Sequence, residues 1–315
     1  MKYHFIVNPA AGKGKLAETV AEKIRNSSNA IGRDVEIYYT TGVGDATEYV
    51  RKWDDGDYHT FFACGGDGTL CEVANGIMKL EHRENVCLGT VPSGTGNDFV
   101  RNFDNSENFF DIDAQLSGSP IEIDLIGCND MYAVNMINIG FDCEVVVKKE
   151  ELQKKKIFPA KFAYVVGLAI TLARKPGIKC RISFDGGEAQ EYDLLLTTYA
   201  NGEFCGGGFH SNPESAVNNG KIDVLTVNNI SRLKFITIVG SYKSGTHLGL
   251  TDILSNRAAE SVRFEFNGDT NISVDGEVVS VSSLTLSIEK KAIKFVLPEG
   301  CEYKKSLPVC ETAGV

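Results

Sequence analysis

A short apolar run, Tyr3 to Val7, gives way after a Gly-rich turn to apolar residues spaced three and four apart: Leu16, Ala17, Val20, Ala21 and Ile24. The run has the length of a buried strand, and the spacing is that of an amphipathic helix. The alternation then repeats. Val35 to Tyr39 predicts a strand, and Ala46, Tyr49, Val50 and Trp53 predict a helix. Thr60 to Cys64 predicts a third strand, Leu70, Val73, Ala74, Ile77 and Leu80 a third helix, and Val86 to Val91 a fourth strand. Strands alternating with helices pair in parallel, with the helices packed on both faces of the sheet. Ligands of such sheets collect at the carboxyl ends of the strands.

From about Pro120 the pattern changes. Short segments rich in Val, Ile, Thr and Tyr are separated by Gly, Asn and Asp: Tyr132 to Ile139, Cys180 to Phe184, Leu194 to Tyr199, Ile222 to Val227, Val262 to Phe266, Ile272 to Val274 and Leu284 to Ile288. This predicts antiparallel β structure, with one helix over Lys161 to Lys175. The chain therefore divides into an α/β domain over residues 1–120 and a β-rich domain over 121–298. The segment 299–315 carries no clear pattern and is expected to pack back on the first domain.

Composition narrows the function. With 315 residues the chain is long enough to bury a full core. A formal net charge of −10 argues against general nucleic-acid binding. The longest apolar run, Phe162 to Ala173, is too short for a membrane-spanning helix, which needs about 20 residues. Nine cysteines occur without a CxxC pair, which argues against a zinc site and for reduced thiols in a cytosol. No signal peptide precedes the first strand, and the five histidines show no ligand spacing.

The sharpest chemical signal is Gly65-Gly66-Asp67-Gly68-Thr69, between a buried strand and an amphipathic helix. The glycines let backbone approach a phosphate, and the helix turns free N–H groups and its positive end toward it. Asp67 is placed to bind Mg²⁺ or to orient a hydroxyl. A second such loop, Pro92 to Phe99, brings Ser93, Thr95, Asn97 and Asp98 to the next strand end. A helix cap at Asn97 or Asp98 is compatible with that use. The loop Asn8 to Lys15 departs from the Walker pattern, with Pro9 and Leu16 at positions that pattern reserves for Gly and Ser/Thr. Asp275-Gly276 is a common hairpin turn, and Glu277 beside it is a carboxylate available for proton transfer. Lys148 to Lys161, with Lys154-Lys155-Lys156-Ile157-Phe158, has basic and apolar side chains suited to an anionic membrane surface, or to a solvated helix face.

These loops resemble those of the diacylglycerol kinase catalytic domain family, which includes bacterial lipid kinases and sphingosine kinases. The resemblance continues through Ile123-Asp124-Leu125, Asn138 to Asp142, Gly206-Gly207-Gly208, Pro213, Asn219 to Val224 and Val274 to Glu277, so it spans Asn8 to about Pro298. It implies a Rossmann-like, NAD kinase-like parallel-sheet domain followed by an antiparallel β-sandwich-like domain. It implies ATP held by Asn8, Pro9, Ala10, Ala11, Gly12, Thr40, Gly65, Gly66, Asp67, Gly68, Thr69, Leu70, Glu72 and Thr95, with Mg²⁺. Glu277 matches the proton acceptor from the lipid hydroxyl, Asp67 and Asp98 match acidic positions needed for activity, and Asp124 matches a network behind them. A structural Mg²⁺ site would use Ala216, Lys221 and Asn219, where the family often has Asp; the neutral amide puts that site in doubt.

The implied activity is ATP-dependent phosphorylation of a lipid, diacylglycerol first, by a cytoplasmic protein at the inner membrane face. A sphingoid base, ceramide-like lipid, monoacylglycerol or isoprenoid alcohol stays open, as does a homodimer. Two other readings remain: a kinase of soluble substrates such as NAD or a sugar phosphate, and an inactive lipid-binding member of the fold.

Overall fold

The computed structural model describes residues 1–14, 16–154, 177–303 and 305. The expected helix Lys161–Lys175 and the cluster Lys155–Phe158 lie outside the described residues.

The first strands are β1 (Lys2–Val7), β2 (Asp34–Tyr39), β3 (His59–Gly65) and β4 (Val86–Pro92). All pair in parallel, in the order β2-β1-β3-β4. Helices α1 (Ala17–Asn26), α2 (Asp45–Arg51) and α3 (Asp67–Ile77) supply the crossovers. Their buried positions are those the periodicity selects: Val20, Ala21 and Ile24 on α1, and Ala46, Tyr49 and Val50 on α2. One core packs α2 and α3 on Phe61 and Leu88, and another packs α1 on Phe5 and Phe62. Short α4 (Ile112–Leu116) is capped by Asp111, which accepts from the N–H groups of Asp113 and Ala114.

The remaining strands are antiparallel among themselves: β5 (Ser119–Cys128), β6 (Met131–Ala133), β7 (Met136–Gly140), β8 (Ile178–Phe184), β9 (Gln190–Ala200), the two-residue pair β10 (Phe204–Cys205) and β11 (Phe209–His210), β12 (Ile222–Asn228), β13 (Leu254–Ala259), β14 (Ser261–Val274) and β15 (Glu277–Leu297). Two apolar stretches that read as separate strands, Val262 to Phe266 and Ile272 to Val274, are one strand with a register shift between Glu265 and Thr270. Their core centres on Ile139, Ile182, Tyr199, Phe264 and Leu284. Two helices without a sequence signal also appear: α5 (Phe141–Lys154) and α6 (Arg232–Ser244).

The two regions share one 13-stranded sheet rather than two separate ones. The joint is β15. Its first half pairs with β14, and beyond a register shift between Glu289 and Ile293 it pairs in parallel with β4 through Lys294 and Phe295. Asp124 pins the shift by accepting from the N–H of Lys291, whose φ is +51°. The described end of the chain packs on the first region. Glu302 bridges Asp104, Asn108 donates to the Glu299 carbonyl, and the Tyr303 ring lies against Phe103.

Toward the amino ends of β1 and β3, fully buried His4 bridges Tyr49 and His59 at 3.0 Å each. Burial, then His59, pushes His4 down to about 3. The unfolded chain protonates near pH 6.5, so below that pH it binds a proton that the native state refuses. The residue's contribution is intact above pH 6.5 and is lost as pH falls, by up to about 1.4 kcal/mol per pH unit. Urea unfolding at pH 7 and pH 5 should show a larger stability loss in the parent than in His4→Phe; equal losses would remove His4 as the cause.

Candidate active site

Three loops meet at the carboxyl ends of β1, β3 and β4. The chain leaves β1 to one side for β2 and to the other for β3, so the crevice between β1 and β3 is the switch point where open α/β sheets bind ligands. The first loop is anchored by Asn8, whose Nδ2 donates to Thr69 Oγ1 at 3.0 Å and whose Oδ1 accepts from the Ala10 N–H at 2.9 Å. Thr40 follows β2, with its N–H on the Val7 carbonyl at 2.9 Å. Pro9 and Ala10 are exposed, and Ala11 and Gly12 half-buried.

The second loop runs from Gly65 into α3. Gly66 stands at the helix N-cap with extended backbone, and no side chain caps the helix. Its first-turn N–H groups and positive end are therefore turned to the loops. Packing dictates the glycines. A Cβ on Gly65 would stand 2.2 Å from Thr69 Oγ1. One on Gly94 would stand 2.5 Å from the Gly66 Cα, backbone against backbone. The Gly65 carbonyl accepts from the N–H groups of Ser93 and Gly94 at 2.7 and 3.2 Å, which ties the second loop to the third. Leu70 belongs to the core, so only its backbone is available to a ligand. Glu72 is half-buried, with its carbonyl taken by Thr47 Oγ1.

Overpacking at such a contact costs about 1–3 kcal/mol. Gly94→Ala is therefore expected to lower the stability of the fold by about that amount. Urea unfolding of variant and parent checks this, and unchanged stability would show that the two loops part to admit the methyl group.

In the third loop, Thr95 is exposed at the tip, and the Asn97 amide clamps both the N–H and the carbonyl of Gly94. The 3-10 turn at Phe99–Asn102 is capped neither by Asn97 nor by Asp98 but by Asp67, whose two oxygens accept from the N–H groups of Asp98 and Phe99 at 3.1 Å. Asp67 thus braces the second loop to the third. Asp98 is buried, accepts from the Gly207 N–H at 2.8 Å and lies 3.3 Å from Arg101 Nε. Burial, then the Asp67 charge, pushes its carboxyl up.

Glu277 comes from the far side. Asp275 and Gly276, with φ of +47° and +93°, form a two-residue turn closing the β14–β15 pair from Val274 to Glu277. The hairpin tip brings Glu277 Oε1 to 3.9 Å from where a Cβ on Gly68 would stand. Asp275 holds the tip. Its carboxylate accepts from Val134, Asn135 and Met136 N–H groups at 2.6, 3.0 and 2.8 Å. Burial pushes it up to about 6, against the pull of those donors. Asn75 of α3 exchanges two hydrogen bonds with the Tyr132 backbone, at 2.8 and 2.9 Å, and fixes α3 against this region. Sequence reasoning missed Asp275 and Asn75 as positioning residues; the only signal was an Asp in a left-handed hairpin position, where Asn and Asp are tolerated.

Asp124 lies in the joint between the regions. It accepts from Gly220 and Lys291 N–H groups at 2.6 and 2.7 Å, beside Asn219. Asn219 Oδ1 accepts from the Lys221 N–H at 2.9 Å, and the Ala216 carbonyl faces the Asn219 N–H at 3.5 Å. Lys305 Nζ donates to the Pro213 and Ser215 carbonyls at 2.6 and 3.0 Å and pairs with Glu203 at 2.7 Å. Asp223, beside this loop, is pushed up to about 6 by burial. Among the described residues no group of three or more His, Cys, Asp or Glu could hold a metal ion. The set at Ala216, Asn219 and Lys221 is of another kind, two backbone carbonyls and a neutral amide oxygen, and the Lys305 ammonium stands beside the loop that carries it.

Residues 2–128 match the diacylglycerol kinase catalytic domain family, and residues 135–297 match the YegS C-terminal NAD kinase beta sandwich-like domain family. The diacylglycerol kinase of Bacillus subtilis (strain 168) is 27% identical over 277 residues, 86% of this chain and 88% of that one. That of Staphylococcus carnosus (strain TM300) is 28% identical over 275 residues, 86% and 87% of the two chains. A crystal structure of a diacylglycerol kinase from Bacillus anthracis str. Sterne superposes with a TM-score of 0.70 at 22% identity, covering 95% of this chain and 97% of that one, which establishes the shared fold. With both of its regions matched in order, the chain belongs to the diacylglycerol kinase and YegS-like lipid kinase family.

Proposed function

We propose that the protein transfers the γ-phosphate of ATP to the hydroxyl of diacylglycerol, giving phosphatidic acid, at the inner face of a membrane. The observation that carries this reading is the approach of Glu277 to the first turn of α3, which sets a carboxylate beside an uncapped anion-binding helix end. Catalysis of phosphoryl transfer is mostly positioning and charge stabilisation. Backbone at Gly66 and Gly68 leaves room for the phosphates, Gly12, Gly65 and Gly94 let the loops pack closely beside them, and Asn8, Thr40, Thr69 and Thr95 border them. Asp98 supplies oxygen donors of the kind Mg²⁺ prefers, and Mg²⁺ bound with ATP would neutralise phosphate charge. Asp67 keeps the two loops in register. Glu277 accepts the proton of the lipid hydroxyl as its oxygen attacks the γ-phosphorus and ADP departs. Asp124 acts at a distance, by fixing the strand that carries Glu277. In domain terms, residues 1–120 hold the nucleotide and 121–298 the lipid.

The test is incubation with labelled ATP and a total bacterial lipid extract, alongside pure diacylglycerol, a sphingoid base, NAD and a sugar phosphate. Label in phosphatidic acid is the expected result. Label in a different lipid would change the acceptor. Label only in NAD or sugar products, or none with any acceptor, would overturn the reading.

A further inference from the structure

Eight large apolar side chains are exposed among the described residues, and only two share an element: Leu233, 79% exposed, and Ile236, 55% exposed, on α6. They lie three residues apart, hence on one face. Thr237, Gly240 and Ser244 continue that face and are exposed as well. Nothing lies within 4 Å of a Cβ built on Gly240. The hydroxyls on this face are bonded within the helix, Thr237 to the Lys234 carbonyl at 2.7 Å and Ser244 to the Ser241 carbonyl at 3.2 Å, so they demand little from water. The inner face is apolar too, with Phe235 and Tyr242 buried. The helix thus presents apolar side chains on both its inner and its outer face, and the outer ones are uncovered.

Charge identifies the cover. Residues 224–251 contain Arg232, Lys234 and Lys243 and no Asp or Glu, in a chain of net charge −10. Lys234 and Lys243 are exposed. Apolar side chains flanked by basic ones, in a stretch of chain without acidic residues and with the Asp142 carboxylate on the buried face at Tyr242, match the boundary of an anionic bilayer. The site lies close behind. Tyr242 packs on Phe209 with ring centroids 6.1 Å apart, Lys243 Nζ stands 5.9 Å above the same ring, and the turn between β10 and β11 donates the Gly207 N–H to Asp98.

We propose that the outer face of α6 docks on an anionic lipid bilayer. The inference rests on the lipid kinase reading for its biological setting, but its test does not require turnover. Sedimentation of the full chain with vesicles of phosphatidylcholine, alone or mixed with phosphatidylglycerol, reads docking directly. The parent should bind the mixed vesicles and much less the neutral ones. Leu233→Asp/Ile236→Asp should lose about tenfold or more in vesicle affinity, and Lys234→Gln/Lys243→Gln about fivefold per lysine, both with unchanged circular dichroism. Phosphorylation of a short-chain, water-soluble diacylglycerol should be unaffected by either pair. Equal vesicle binding by parent and variants, or no binding by the parent, would overturn the proposal. A parent dimer in sedimentation velocity that Leu233→Asp/Ile236→Asp splits would also overturn it, in favour of a second copy of the chain. A parent that docks yet phosphorylates no lipid would remove the kinase reading and leave the docking face standing.

Discussion

Glu277→Gln is expected to lower turnover of a lipid alcohol by about 10²–10⁴-fold, the usual worth of a positioned general base. The amide keeps the size of the side chain and cannot take a proton. ATP affinity should hardly change, because the loops proposed to hold the nucleotide lie on the opposing region and Glu277 reaches only the first turn of α3. Single-turnover kinetics with a parallel nucleotide titration separates the two effects. A fall in ATP affinity with chemistry intact would assign Glu277 to phosphate or metal binding instead.

The second large effect is on stability. Asp275→Ala removes the acceptor of three buried backbone N–H groups, those of Val134, Asn135 and Met136. A buried donor left unpaired costs about 1–3 kcal/mol, and partial relaxation should bring the total to about 3–5 kcal/mol. Activity should fall with it, because the same turn aims Glu277. Asp275→Asn retains one acceptor oxygen and should fall between the parent and the Ala variant. Urea unfolding gives the first quantity and turnover at a permissive temperature the second. A loss of activity in Asp275→Asn that exceeds its loss of stability would show that the tip positions Glu277 rather than merely holding the fold. Unchanged stability in Asp275→Ala would show that other groups restore the three donors.

The parallel half of the molecule was legible because its strands are short apolar runs and its helices keep apolar residues three and four apart. The spacing of Val20 and Ile24, or of Val73 and Ile77, is enough to predict a helix, and the first two glycine loops sit just before such helices. The two missed helices lack that contrast. Val145-Val146-Val147 in α5 is a β-branched run of the kind that favours strands. In α6, Leu233, Phe235, Ile236, Ile238 and Val239 present apolar groups all round, so no 3.6-residue period stands out. Other features were invisible because they are made at long range. Asp67 caps a turn 31 and 32 residues away, Asn75 meets Tyr132 across 57 residues, and Asp275 meets Asn135 across 140. No local pattern records such pairs. The resemblance supplied Glu277 as a role, whereas the positioning group beside it emerged only from the folded chain.

Enzymes that handle ATP commonly exclude water by swinging one lobe onto another about a few pliable residues. Here β15 begins at Glu277 and ends hydrogen-bonded to β4, the strand that feeds the third loop. The same strand is thus one jaw at its start and part of the other at its end. A swing between the jaws would have to break that ladder, and Asp124 clamps the strand midway. The shared strand therefore opposes a change in the width of the mouth. On the proposed lipid kinase reading, keeping water from the γ-phosphate would fall to what enters the mouth, the acyl chains of the acceptor and the bilayer that delivers it, with the membrane as the missing lid.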